Sequence, residues 1–290
     1  MTAVMCVLNI RATLGEGPVW CPEEQALYWV DILSRTVNRF DPETGANRVW
    51  HVPDLVGCMA LRDSGGAILA LRHGLVALDF DTGAVSPVAE PAGLTDEVRF
   101  NDGKCDRRGR FFAGTMHNPE TAGQGHLYRF DPEGSLHTVE EGITTSNGLG
   151  WSPDDTVFYY TDTMQHAIHA YDYDIETGAI SNRRVFAEVP DETGRPDGLT
   201  VDSAGYVWGT HWEGWRVTRY APDGSVDKVV EVPVARPTSC NFGGRDLSTL
   251  YVTSAAMDGI FPKDPGEPLA GGIFAIPCDV PGLPEPRFAG

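Results

Sequence analysis

The chain has 290 residues, with 41 acidic side chains against 22 basic ones and a formal net charge of −19. An acidic balance of this size repels phosphate backbones and anionic lipid, which argues against nucleic acid or a membrane surface as partner, although solubility alone explains most acidic surfaces. No stretch approaches the roughly 20 apolar residues of a membrane span. The six cysteines (6, 21, 58, 105, 240 and 278) are scattered without a C-x-x-C pair, which excludes zinc-finger and redox motifs and points to free thiols in a reducing cytoplasm.

Residues 1–14 (MTAVMCVLNIRATL) read as a strand without companions; Arg11 interrupts the apolar run and no basic leader precedes it, so they are not expected to be a signal peptide. Six repeats follow. Each opens on a short turn ending in glycine that leads into an apolar run: Glu16-Gly17, Val56-Gly57, Asp102-Gly103, Asn147-Gly148, Asp197-Gly198 and Phe242-Gly243. Successive glycines lie 40, 46, 45, 50 and 45 residues apart, the period of a four-stranded propeller blade. Behind each run comes a turn and a second strand (ALYWVD, AILALR, RFFAGT, VFYYTD, YVWGTH, LYVTSA), then a loop and a returning strand that ends in a turn such as DPETG or DFDTG. The pattern predicts an all-β fold, a six-bladed β-propeller filling 1–290 as a single domain. Its N-terminal strand is expected to complete the last blade and close the ring, which removes exposed sheet edges. No helix of any length and no linker is expected, and a monomer is the default for a closed ring.

In four of the six turns the residue before glycine is a hard oxygen donor: Glu16, Asp102, Asn147 and Asp197. Equal spacing on a closed repeat brings such positions to one point. If the innermost strands begin at that face, the second strands run antiparallel and end there. This places Thr115, Met116, His117, Asp162, His211, Trp212 and Ser254 near the mouth. No G-x-S-x-G elbow is present and no nucleophilic triad is legible.

The segments LGEGPVW, RFNDGKCDRRGRFFAGTM, SNGLGWS, PDGLTVDSAGYVW, TSCNFGGRDLSTLYVT and AGGIF together resemble the gluconolactonase and regucalcin (senescence marker protein) family, over essentially the whole chain. The resemblance implies one divalent metal on the propeller axis and hydrolysis of sugar lactones. It matches Glu16, Asn147 and Asp197 to the family's metal ligands, and Asp197 also to its general base. Two carboxylates and an amide oxygen form a set suited to Ca, Mg, Mn or Fe ions more than to a thiolate-loving metal, and Zn is a further candidate. Three protein ligands leave positions open for catalysis.

The resemblance also implies that Arg99 and Asn101 reach the substrate, with Asp102 beside the metal. Arg99 offers a planar fork to hydroxyls or a carboxylate, and Asn101 offers both donor and acceptor. Asp102 reads either as a neighbour of the metal and substrate or as a turn residue. His117 reads either as a ligand for a sugar hydroxyl or as a cap of its own loop. Animal members carry a glutamate pair after G-T-M where this chain has His117-Asn118-Pro119-Glu120, so the loop 117–126 is expected to set lactone choice.

The leading expectation is a cytoplasmic, metal-dependent lactonase that opens an aldonolactone to its acid. The alternatives are a calcium-binding regulatory protein, a promiscuous organophosphate hydrolase, and a propeller scaffold for other proteins. Arg99 and Asn101 favour the enzyme, because metal storage needs no polyol recognition and a scaffold needs no carboxylates on its axis.

Overall fold

The computed structural model describes residues 3–121, 123–258, 260 and 267–290. Six antiparallel four-stranded sheets are arranged as blades, and the innermost strand of each packs against the innermost strands of both neighbours. These inner strands are Gly15–Cys21, Val56–Leu61, Val98–Cys105, Ser146–Trp151, Arg195–Val201 and Pro237–Gly243, in blades 1 to 6. The N-terminal strand Met5–Leu8 pairs with Ile273–Pro277 as the outermost strand of blade 6, so the ring closes as expected. Among the described residues the only helical segments are two short 3-10 turns, Thr163–Gln165 and Asp191–Thr193. No helix there is long and apolar enough to cross a membrane. All six cysteines are free thiols.

Both faces of each blade are buried, and the period-two geometry of a strand explains the continuous apolar runs. Tyr28 enters the core between blades 1 and 2 while Trp29 enters the one between blades 6 and 1. In blade 3, Phe111 and Phe112 divide in the same way between the gaps on either side. The fourth strands lie at the rim and are largely exposed, as in Asn47–His51 and Val85–Ala89. The Asp-rich turns between third and fourth strands form as read: Asp41 Oδ1 accepts from the N–H groups of Glu43 and Thr44, and Gly45 follows at φ 74°.

Every inner strand carries a bulge near its start, where the register to the second strand slips. A bulge re-aims side chains, and these bulges turn the donor residues toward the axis. Glycine is needed at several of them for close approach, as two cases show. A Cβ on Gly57 would meet Asn101 O at 2.5 Å, and one on Gly148 would meet Asp197 O at 2.7 Å, so each glycine lets the next inner strand close in.

Blade 6 corrects the repeat phase. Its bulge lies between Pro237 and Cys240, at Thr238 and Ser239, and not at Phe242-Gly243. Phe242 instead fills the core between blades 5 and 6, and Gly243 packs flat on Trp20. The Asn-Phe-Gly-Gly sequence mimics the donor-glycine signature a few residues late.

Candidate active site

One cavity of about 430 Å³ opens on the axis, lined by Glu16, Arg99, Asn101, Asn147 and Asp197 together. All five side chains are buried. Five of the seven expected site residues therefore meet at one place. The loops after the second strands roof it as the strand alternation requires, through Asn118 and Glu120 in blade 3, Thr163 in blade 4 and Met257 in blade 6.

A relay of hydrogen bonds fixes the polar side. Arg99 Nη1 donates to Phe100 O (2.9 Å) and to Asn101 Oδ1 (2.8 Å). Asn101 Nδ2 donates to Ser146 O (2.8 Å) and to Asn147 Oδ1 (2.9 Å). Asn147 Nδ2 donates to Thr163 Oγ1 (2.7 Å), whose own proton goes to Pro196 O (2.8 Å). Because Thr163 must accept from Asn147, the amide oxygen of Asn147 is the atom turned toward Asn101. A carbonyl oxygen has two acceptor sites, so one bond from Asn101 leaves room for a cation.

The carboxylates are less provided for. The backbone partner of Glu16 is the N–H of Gly17, at 3.0 Å, and that of Asp197 is the N–H of Gly198. Burial pushes the Glu16 carboxyl up to about 8, with the Asp102 charge adding to the effect. Burial likewise holds Asp197 well above the usual carboxylate range, followed by repulsion from Glu16, Asp102 and Glu120. Arg99 is lowered by burial to about 10 and stays a cation at neutral pH. Buried like charges facing one another are costly unless a cation or a proton intervenes. The donor set fits a hard divalent cation on this ground. No group of three His, Cys, Asp or Glu side chains suited to a metal occurs among the described residues; the convergent set is two carboxylates and an amide.

Asp102 and His117 lie elsewhere. Asp102 accepts from Gly103 N–H (2.7 Å) and lines a narrow axial channel beneath the cavity, beside Lys104, Ser239 and Glu285. Burial raises its carboxyl to about 6. His117 is buried outside the cavity lining, with Nε2 3.7 Å from Glu97 Oε2; its neighbour Met116 faces the cavity instead. Trp212 lines the cavity as placed from sequence, whereas His211 turns away to Thr193 O and the Tyr220 hydroxyl, and burial lowers it to about 4. Asp162 accepts from the N–H groups of Thr144 and Thr145, and Ser254 donates to Gly272 O; both are structural.

Sequence reasoning missed Asn118, Glu120 and Arg195. Glu120 sits in a left-handed turn (φ 53°) that brings its carboxylate to Thr145 Oγ1 (3.3 Å) and within 3.9 Å of Arg195 Nη1. The signal was present in the loop 117–126, where Glu120 follows the H-N-P segment, but no ungapped alignment to a family glutamate identifies it.

Fold and site together define a six-bladed propeller with a small-molecule site on its axis. The chain belongs to the family described as the SMP-30/gluconolactonase/LRE-like region, whose model matches residues 14–256. It is 40% identical over 286 residues to a 6-deoxy-6-sulfogluconolactonase of Pseudomonas putida, covering 98% of both chains. It is 41% identical over 286 residues to a pentonolactonase of Haloferax volcanii, covering 97% of this chain and 96% of the relative. Among solved structures, a calcium-binding protein, regucalcin, from Agrobacterium tumefaciens superimposes with a TM-score of 0.93 at 28% identity, over 100% of this chain and 98% of that one.

Proposed function

We propose that the protein hydrolyses a sugar (aldono-) lactone to the aldonic acid in cytoplasmic sugar oxidation, with one divalent cation held by Glu16, Asn147 and Asp197. The observation that carries this reading is the convergence of two buried, mutually repelling carboxylates with an oriented amide oxygen beside a buried guanidinium in one cavity. The lactonase names of the relatives support it.

A bound divalent cation supplies a Lewis acid for the lactone carbonyl. The remaining work falls to side chains of this chain. With one oxygen toward the cation, Asp197 would keep the other for a water, whose proton it can accept. Water attacks C1 as its proton passes to Asp197; the bond between C1 and the ring oxygen breaks, and Asp197 returns the proton to that leaving oxygen. The product carries a new hydroxyl and a carboxylic acid, which ionises to the carboxylate by losing the second proton of the water to solvent. Arg99 spends one nitrogen on its relay, which leaves the rest of its fork for substrate hydroxyls or the product carboxylate. Asn101 is held to one orientation by Arg99 and Asn147, so it reads hydroxyl position without reorganising.

A calcium-binding regulatory role is the second reading, favoured by the description of the Agrobacterium relative as calcium-binding. One experiment separates the two. Strip the protein of metal, add back Fe²⁺, Mn²⁺, Zn²⁺, Ca²⁺ or Mg²⁺ singly, and measure hydrolysis of pentono- and hexonolactones and an organophosphate ester above the spontaneous rate. Turnover of a lactone with at least one metal is expected. Calcium binding with no lactone turnover overturns the enzyme reading.

A further inference from the structure

The cavity has two unlike walls. Blades 3, 4 and 5 supply Arg99, Asn101, Glu120, Asn147 and Arg195 around the carboxylate end. Blades 6, 1 and 2 supply Met257, Leu14, Leu33 and Leu55, with Ile260 at the rim; among the described residues Glu16 at the floor is the one charged side chain on this side of the lining. Only Met116 of blade 3 and Trp212 of blade 5 break the division. Leu14, Leu33 and Leu55 are half-buried, packed on one side against the core between blades 1 and 2 and open to the cavity on the other. The apolar wall is therefore backed by packed structure and keeps its shape.

A fully hydroxylated sugar lactone can set only its C–H groups against such a wall, since a hydroxyl turned into it finds no partner. In a six-carbon 1,4-lactone the C2–C3 edge carries two hydroxyls, while the ring oxygen and the arm on C4 lie on the other side. A substrate set with C1 at Asp197 of blade 5 and its C2–C3 edge toward Arg99 and Asn101 of blade 3 would leave its C4 arm for the side of blades 1 and 2, where Leu14, Leu33 and Leu55 stand. A hydroxyl ending that arm would leave water for leucine side chains; a methyl would gain by the same move.

We infer that the preferred substrate is a sugar lactone whose exocyclic arm ends in an unhydroxylated carbon, as in a 6-deoxyhexonolactone. The inference rests on the lactonase reading and adds to it the chemistry at the far end of the substrate. Recognition is split: hydroxyls on the ring are read by blade 3, and the absence of a terminal hydroxyl is read by blades 1 and 2.

The test uses pairs that differ only at C6: L-rhamnono-1,4-lactone against L-mannono-1,4-lactone, and L-fucono-1,4-lactone against L-galactono-1,4-lactone, with γ-caprolactone as a lactone lacking ring hydroxyls. The metal-loaded protein should show kcat/KM higher for the 6-deoxy member by about tenfold or more in the pair it accepts, since one group misplaced in an apolar pocket costs that much or more. γ-Caprolactone should be poorer than the 6-deoxy lactone by at least as much. Leu55→Asn and Leu33→Asn should each shrink the ratio within the pair toward one, and a ratio is unaffected by the fraction of folded enzyme. Equal or better turnover of the 6-hydroxy member in both pairs overturns the inference while leaving the lactonase reading intact. Preferential turnover of γ-caprolactone overturns it too, by showing that the ring hydroxyls are not read. No hydrolysis of any lactone with any metal sinks both.

Discussion

The two ends of the propeller axis hold charges in opposite ways. At the far end Lys104 Nζ lies 3.5 Å from Glu285 Oε2, and that same oxygen accepts from Asn241 Nδ2 at 2.8 Å. Residues 281–289 cross this end and hydrogen-bond to blades 5, 2 and 3 through Ser203, Leu61 and Gly109, while Arg287 pairs with Glu23 of blade 1 at 2.7 Å. Lys104 with Glu285 and Arg287 with Glu23 each set a charge against its opposite. At the mouth, Glu16 and Asp197 face one another, and the Arg99 guanidinium is the counter-charge nearest to hand in the lining. Pairing offsets much of the cost of burying ionised groups, so a place where a fold gathers like charges instead is one where a ligand is expected to complete the set.

Substitutions at the two ends should therefore separate activity from stability. Asp197→Asn should lower kcat by roughly 10²- to 10⁴-fold, the usual worth of a general base, and weaken metal binding. Its melting temperature without metal should hold or rise, because one of two repelling carboxylates is gone. Initial rates beside thermal melts check both halves. A variant with full activity removes Asp197 from the chemistry.

The far end should give the converse. Lys104→Met leaves Glu285 enclosed without its cation and is expected to cost about 2–3 kcal/mol, somewhat less than for a fully enclosed pair since both side chains keep a little solvent contact. Urea unfolding measures the loss. Adding Glu285→Gln should restore most of it, and activity per folded molecule should stay at the parent level in both variants. Activity that falls with Lys104 while stability does not would make the channel part of the site.

Much of this was legible in the chain itself. The blade count follows from glycine turns at a steady period and from runs that alternate between two apolar gaps. The closing strand follows from a segment with no partners of its own. Glu16, Arg99, Asn101, Asn147 and Asp197 converge as expected, since bulges at equivalent points of a ring all aim inward. What failed to follow is finer than one residue. His117 and Asp102 turn away from the cavity that their neighbours Met116 and Asn101 face as expected, because neighbouring residues on a strand point to opposite sides and a bulge shifts the phase. Glu120 comes from loop geometry, which carries no period, and Arg195 is the first residue of the blade 5 inner strand, two before Asp197. The apolar wall draws on three blades, and no local pattern marks it.

The third prediction concerns pH at the mouth alone. A carboxyl held at about 8 in the metal-free fold is protonated at pH 7, so metal uptake should release protons, and affinity should tighten by up to about tenfold per pH unit before levelling above pH 8. Calorimetry in buffers of different ionisation enthalpy counts the protons. The sign for stability follows: a carboxyl whose pKa is raised on folding stabilises the fold at low pH, and that contribution is lost as pH rises from about 4.5 toward 8. The metal-free protein should melt at falling temperature over this range, and saturating metal should flatten the trend. No proton release at pH 7 would mean that the carboxylates are already ionised and compensated by something other than the metal.

The smallest expected effect belongs to Glu120, which touches the mouth but not the carboxylate pair. Its carboxylate is anchored by Thr145 and lies near Arg195, so it is placed to accept a bond from a substrate hydroxyl while taking no part in proton transfer. Glu120→Gln keeps the shape and one acceptor oxygen and removes the charge. Losing the extra strength of a charged acceptor, about 0.5–1 kcal/mol, should raise KM by roughly two- to fivefold and leave kcat within a factor of two. Steady-state kinetics on the accepted lactone decides it. A kcat that collapses as it does for Asp197→Asn would move the general base from the inner strand of blade 5 to the loop of blade 3, and with it the division between a rigid chemical floor and a loop that only chooses the substrate.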